Sequence, residues 1–112
     1  MSDRIDALLA ILRAGQDNAL LRFSLGTEYL SQQQFDAAAE HLQAAVDLDT
    51  NYSAAWKLLG RALLNLGRSD DARFVYSRGI VVAEANGDHQ AAKEMKIFLR
   101  RLEKAAIDQN RS

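Results

Sequence analysis

Residues 25–30 read Leu25-Gly26-Thr27-Glu28-Tyr29-Leu30, and thirty-four positions later the chain reads Leu59-Gly60-Arg61-Ala62-Leu63-Leu64. Leu25 meets Leu59, Gly26 meets Gly60 and Leu30 meets Leu64, and the same offset pairs Asp36 with Asp70 and Ala38 with Ala72. Similar residues fill the columns between: Tyr29 with Leu63, Leu42 with Tyr76, Ala45 with Gly79, Val46 with Ile80 and Leu48 with Val82. So many matches in one phase make residues 19–52 and 53–86 two copies of one unit.

Apolar residues recur at three- and four-residue steps throughout, with no alternating run of β-branched or aromatic residues. The chain therefore reads as all-helical. A first helix is expected over 3–14, with Ile5, Leu8, Leu9 and Leu12 on one face and Gly15 as its stop. The first unit then holds a helix carrying Leu21, Leu25, Tyr29 and Leu30, a turn at Ser31-Gln32-Gln33-Gln34, and a helix carrying Ala38, Leu42, Ala45 and Val46 to about Asp49. In the second unit Asn51 is expected to open a helix with Trp56, Leu59, Leu63 and Leu64, which ends at Gly67. Ser69 is read as the N-cap of the next, which runs through Val75, Tyr76 and Ile80 to Asn86-Gly87. A last helix over 88–107 starts at Asp88 and presents Ala92, Met95, Phe98, Leu99 and Leu102, with residues 108–112 frayed. All of residues 1–112 form a single domain on this reading.

A helical pair repeated every thirty-four residues resembles the tetratricopeptide repeat. The second copy matches its pattern with Trp56, Leu59-Gly60, Leu63, Ala72, Tyr76 and Gly79, and the first with Leu25-Gly26, Tyr29, Phe35, Ala38, Leu42 and Ala45. The junction from Val46 to Trp56 looks like the family's inter-repeat segment with its proline replaced by Thr50. The first copy departs by holding Arg22 in the tryptophan column, and Glu84 replaces the second proline. The resemblance implies a right-handed α-α superhelix of two helix-turn-helix repeats flanked by an N-terminal and a C-terminal capping helix. Gly26 and Gly60 are expected where paired helices cross, with Ala38 and Ala72 opposite. Leu8 falls in the column of Leu42 and Tyr76, so the first helix can cover the front of the stack; the charged last helix covers the back.

Composition excludes several classes of function. Fourteen basic against fifteen acidic residues leave a net charge of −1, so no overall positive field draws the chain to nucleic acid or an anionic membrane. The longest apolar run, Ala7 to Leu12, is far short of a membrane span. The acidic N-terminus lacks the form of a secretory signal, and a soluble, cytoplasmic location is expected. Without cysteine there is neither a disulfide framework nor a thiol nucleophile. His41 and His89 are isolated from metal-ligand spacing and are read as structural or surface residues. The acid pairs Asp47/Asp49 and Asp70/Asp71 sit where helices end and begin, where acids serve turns and caps. Gly60 to Gly67 followed by Arg68-Ser69 lacks the lysine and spacing of a phosphate loop. Neither catalysis nor any cofactor or metal is expected.

The resemblance implies a non-catalytic module that binds a protein or peptide segment along the inner face of its first helices. Carried into this sequence, that groove is Leu20, Phe23, Thr27 and Ser31 from the first repeat and Ala54, Lys57, Arg61 and Asn65 from the second. Lys57, Arg61 and Asn65 stack at four-residue steps, a pattern suited to a carboxylate or acidic segment, with Phe23 as an apolar contact. One branch of the family clamps chaperone C-terminal carboxylates with Lys, Asn, Asn, Lys and Arg. Here those positions hold Phe23, Thr27, Leu58, Asp88 and Ala92, so that form of capture is not expected. The alternative reading is a self-associating subunit, a homo-oligomer paired through end surfaces around Leu9, Phe98 or Leu102.

Overall fold

A computed structural model describes residues 3–110, in the order α1 (Asp3–Arg13), α2 (Ala19–Ser31), α3 (Phe35–Leu48), α4 (Ser53–Asn65), α5 (Ser69–Ala85) and α6 (His89–Asn110). No strand occurs among the described residues. Each helix packs on the next, and α2 also touches α4 as α4 touches α6. Antiparallel pairs thus stack along an elongated body of 51 × 31 × 19 Å, with α2, α4 and α6 in one layer and α3 and α5 in the other. This is the all-α tetratricopeptide-like arrangement implied by the thirty-four-residue offset.

The turns explain where the helices stop. Gly67 adopts φ 76° after α4, and Gln33 adopts φ 58° at the equivalent place after α2. Both close a Schellman pattern: Arg68 N–H donates to Leu63 O (2.9 Å) and Gly67 N–H to Leu64 O (3.0 Å), as Gln34 N–H does to Tyr29 O and Gln33 N–H to Leu30 O. Asn18 caps α2 by accepting from Leu21 N–H at 2.8 Å, and Asp88 caps α6 by accepting from Ala91 N–H at 3.2 Å. Ser69 is not a cap. It is the first helical residue of α5, where no side chain caps the helix, and the Arg68–Asp71 and Arg73–Asp70 ion pairs occupy that turn. α6 continues to Asn110 instead of fraying from 108, since neither glycine nor proline interrupts it; residues 111 and 112 lie outside the described residues.

Core packing follows the repeat, with one correction. The side chains opposite Gly26 and Gly60 are Leu42 and Tyr76, not Ala38 and Ala72: a Cβ on Gly26 would lie 2.4 Å from Leu42 Cγ, and one on Gly60 would lie 2.4 Å from Tyr76 Cε1. The large members of the column lie on the glycines, because a helix without a side chain there leaves room for a ring or a branched chain. The alanines are fully buried within the same core. Trp56 donates its indole N–H to Thr50 O at 2.9 Å, tying α4 to the turn before it. Arg22, in the same column, holds the preceding turn through Asp17 at 2.8 Å and also meets His41 Nδ1 at 3.1 Å. α1 packs Ile5 with Leu21 and Leu25 in a separate small cluster at the front of the stack.

Candidate functional site

The α2, α4 and α6 layer carries the residues expected to form a groove, and the structure divides them. Lys57 and Arg61 project from α4 into a cleft of about 400 Å³ against α6, lined also by Leu58, Tyr76, Glu94 and Phe98. Phe23 stacks on Tyr52 with ring centroids 4.8 Å apart, so its ring is covered from the side of the inter-repeat turn. Leu20 is 66% exposed at the start of α2. Thr27 turns its hydroxyl back to Phe23 O at 2.8 Å, and Asn65 donates to Arg61 O at 2.9 Å. None of Leu20, Phe23, Thr27 and Asn65 lines the cleft itself.

Three features of the cleft came from outside the sequence reading. Lys57 Nζ is already paired with Glu94 Oε2 at 2.8 Å, across from α4 to α6. That bond, helped by Gln90, holds the Glu94 carboxyl below its ordinary range. The Tyr76 hydroxyl is buried without a hydrogen-bond partner among the described residues. Burial pushes its pKa up to about 12 against a smaller opposing pull from Arg61. Phe98 stacks on Tyr76 at 5.7 Å, and the Arg101 guanidinium lies 5.7 Å from the Phe98 ring centre. Arg61 is exposed and closes no salt bridge among the described residues.

The phase of α6 also changes. The buried positions Leu21 and Leu25 of α2 correspond to Ala55 and Leu59 of α4 and to Ala91 and Met95 of α6, so the last step is two residues longer than the first. The cause is α5, whose 17 residues exceed the 14 of α3. The two-residue shift puts Lys93 and Ile97, not Asp88 and Ala92, in line with Phe23 and Thr27 of α2 and with Lys57 and Arg61 of α4. Asp88 instead accepts from Ser53 Oγ at 2.7 Å and fastens α6 to α4.

Other residues have structural employment. His41 is buried, stacks on Tyr29 at 5.5 Å, and is held below its ordinary pKa by burial and then by the Arg22 charge. Among the described residues no group of three or more His, Cys, Asp or Glu could hold a metal ion. Phe98 and Leu102 pack against the main core and Leu9 against the α1–α2 cluster, so the end surfaces considered for self-association are partly consumed.

Stacked helical pairs of this geometry define a repeat protein of the tetratricopeptide class, and known proteins bear on it directly. The tetratricopeptide repeat family profile matches residues 29–95, and the chain belongs to that family. It is 48% identical over 101 residues to the TPR repeat-containing protein PA0015 of Pseudomonas aeruginosa, covering 90% of this chain and 96% of that protein. It is similar in structure to protein BPP2914 of Bordetella parapertussis, with TM-score 0.79 and 46% identity over 94% of this chain and 91% of the other. It also resembles the Sgt2 TPR domain of Aspergillus fumigatus, with TM-score 0.79 and 28% identity over 96% of this chain and 69% of that one. The co-chaperone sgt12 of the same fungus is 30% identical over 105 residues, which are 93% of this chain but only 30% of that protein. Domains of this family are generally non-catalytic modules of protein–protein interaction. No helix among the described residues is long and apolar enough to cross a membrane.

Proposed function

We propose that the chain captures an acidic protein segment along its α2, α4 and α6 layer, with the cleft between α4 and α6 as the anchoring point. Lys57 and Arg61 grip a carboxylate of the segment, and Phe98 supplies an apolar wall. Leu20, Phe23, Thr27 and Asn65 extend the contact along the layer. One observation carries this reading: the cleft already accommodates a carboxylate, that of Glu94 on Lys57, beside Arg61, which closes no salt bridge among the described residues. A ligand carboxylate replaces Glu94 as the partner of Lys57 and adds Arg61.

The test is fluorescence anisotropy with a panel of labelled acidic decapeptides and their amide-neutralised counterparts. Lys57→Glu with Arg61→Glu is expected to weaken binding of the acidic peptides by at least about tenfold with helical content retained, while loss of the partly exposed Lys57–Glu94 pair lowers the thermal midpoint modestly. Glu94→Gln is expected to tighten it, because the internal competitor is gone. Acidic peptides that bind the double reversal as well as the parent would refute the assignment.

A further inference from the structure

The opposite layer carries a second, differently charged feature. α3 and α5 stand apart there, leaving a groove of about 420 Å³ floored by Trp56, Leu59 and Leu63 of α4. Its α5 wall carries Phe74, which is 64% exposed. Its α3 wall is acidic. Asp36, Glu40 and Gln43 line it, and Asp47 continues the same helical face one turn on. Residues 35–52 hold four acids and neither Lys nor Arg. Arg68 at the α5 edge is neutralised by Asp71 at 2.7 Å, and no salt bridge among the described residues engages Asp36, Glu40 or Asp47.

α6 carries the complement. Lys93, Ile97, Arg100, Lys104 and Ile107 follow at four- and three-residue steps, which puts them on one face, and all five are exposed. Lys93, Arg100 and Lys104 also close no salt bridge among the described residues. The spacings agree when the two helices run antiparallel. Counting from Asp36, the α3 face has Glu40 four residues on, Gln43 seven on and Asp47 eleven on; counting back from Lys104, the α6 face has Arg100, Ile97 and Lys93 at the same steps. Both stripes span about 16 Å at the rise of an α-helix.

From this match we infer that a second copy of the chain docks its α6 antiparallel into the α3–α5 groove. Lys104 then faces Asp36, Arg100 faces Glu40 and Lys93 faces Asp47, while Ile97 meets Gln43 and the exposed Phe74 ring. The donor stripe and the acceptor groove are different patches, so each copy has one of each to offer. The acceptor groove lies on the other layer from the cleft, while the donor stripe uses residues of α6 that do not line it.

Sedimentation velocity of the full chain over a concentration range, at low and high salt, tests it. The parent is expected to self-associate, and the dissociation constant to rise at least about tenfold in high salt. Glu40→Lys and Arg100→Glu alone are each expected to weaken association at least about tenfold, and an equimolar mixture of the two variants to recover hetero-association. Both positions are exposed, and circular dichroism verifies that each variant keeps its fold. A parent that remains monomeric at about 0.5 mM in low salt, or association indifferent to both reversals, overturns the inference. So does a monomer that binds a synthetic basic helix in the groove, or an RNA oligomer on the α6 stripe, since either assigns the patch to a foreign partner.

Discussion

Replacing Gly60 by alanine tests the packing at the heart of the second repeat. Alanine is the better helix former by about 1 kcal/mol, so on local grounds the change should stabilise α4. The added Cβ, however, would lie 2.4, 2.6 and 2.8 Å from Tyr76 Cε1, Cζ and Cδ1, all well inside a normal carbon contact of about 3.5–4.0 Å. The ring has nowhere to go: Tyr76 is fully buried and stacked on Phe98. Overpacking of this kind costs about 1–3 kcal/mol, and three ring carbons against a rigid neighbour place it at the upper end. Net of the helix gain, about 2 kcal/mol of stability is lost, which lowers the midpoint by about 8 °C in a domain of this size. Gly26→Ala meets Leu42 instead, whose aliphatic chain can change rotamer, and is expected to cost less. Thermal and urea unfolding followed by far-UV circular dichroism would measure both. A Gly60→Ala protein as stable as the parent, or more stable, would mean that the helix preference acts unopposed and that α4 and α5 do not cross at this glycine.

Three further outcomes are expected. Gln33→Gly should stabilise by about 0.5–1 kcal/mol, because a side chain is disfavoured at φ 58°, where the second repeat uses Gly67; urea unfolding that shows a loss would contradict the cap geometry. Tyr76→Phe removes a buried hydroxyl that has no hydrogen-bond partner among the described residues and should leave stability unchanged or raise it by about 1 kcal/mol; a clear loss in urea unfolding would mean that the hydroxyl is satisfied in the fold. His41 has a depressed pKa in the fold, so the unfolded chain takes up its proton first: stability should be full above about pH 6.5 and decline as pH falls below it, before the carboxylates titrate. The decline should be smaller in His41→Gln, and superimposable midpoint-versus-pH curves from about pH 7 to 5 would refute it.

The helices themselves were legible because their cause is local and periodic. The thirty-four-residue beat paired Leu25 with Leu59 and Gly26 with Gly60, and stacking helical pairs is how such a beat buries its apolar columns. Local signals failed where two candidates compete for one end. Ser69 has the chemistry of a cap, yet the turn closed by Gly67 and Arg68 starts the helix one residue early. The phase of α6 was illegible for a different reason: α5 runs longer than α3, and nothing in its composition announces the two-residue shift that brings Glu94 to Lys57.

Of the groove residues, Lys57 and Arg61 could be found from their four-residue step alone, since one helix face is set by one helix's sequence. Their shared cleft could not, because its other wall belongs to Tyr76, Glu94 and Phe98 on two other helices. Sequence alone determined the all-helical class, the repeat and the two glycines at which paired helices meet closely, all of which depend on spacing along the chain. Tertiary structure alone decided which side chain lies on each glycine, which acid occupies Lys57 and how far apart α3 and α5 stand, because those depend on distances between helices that no periodicity encodes.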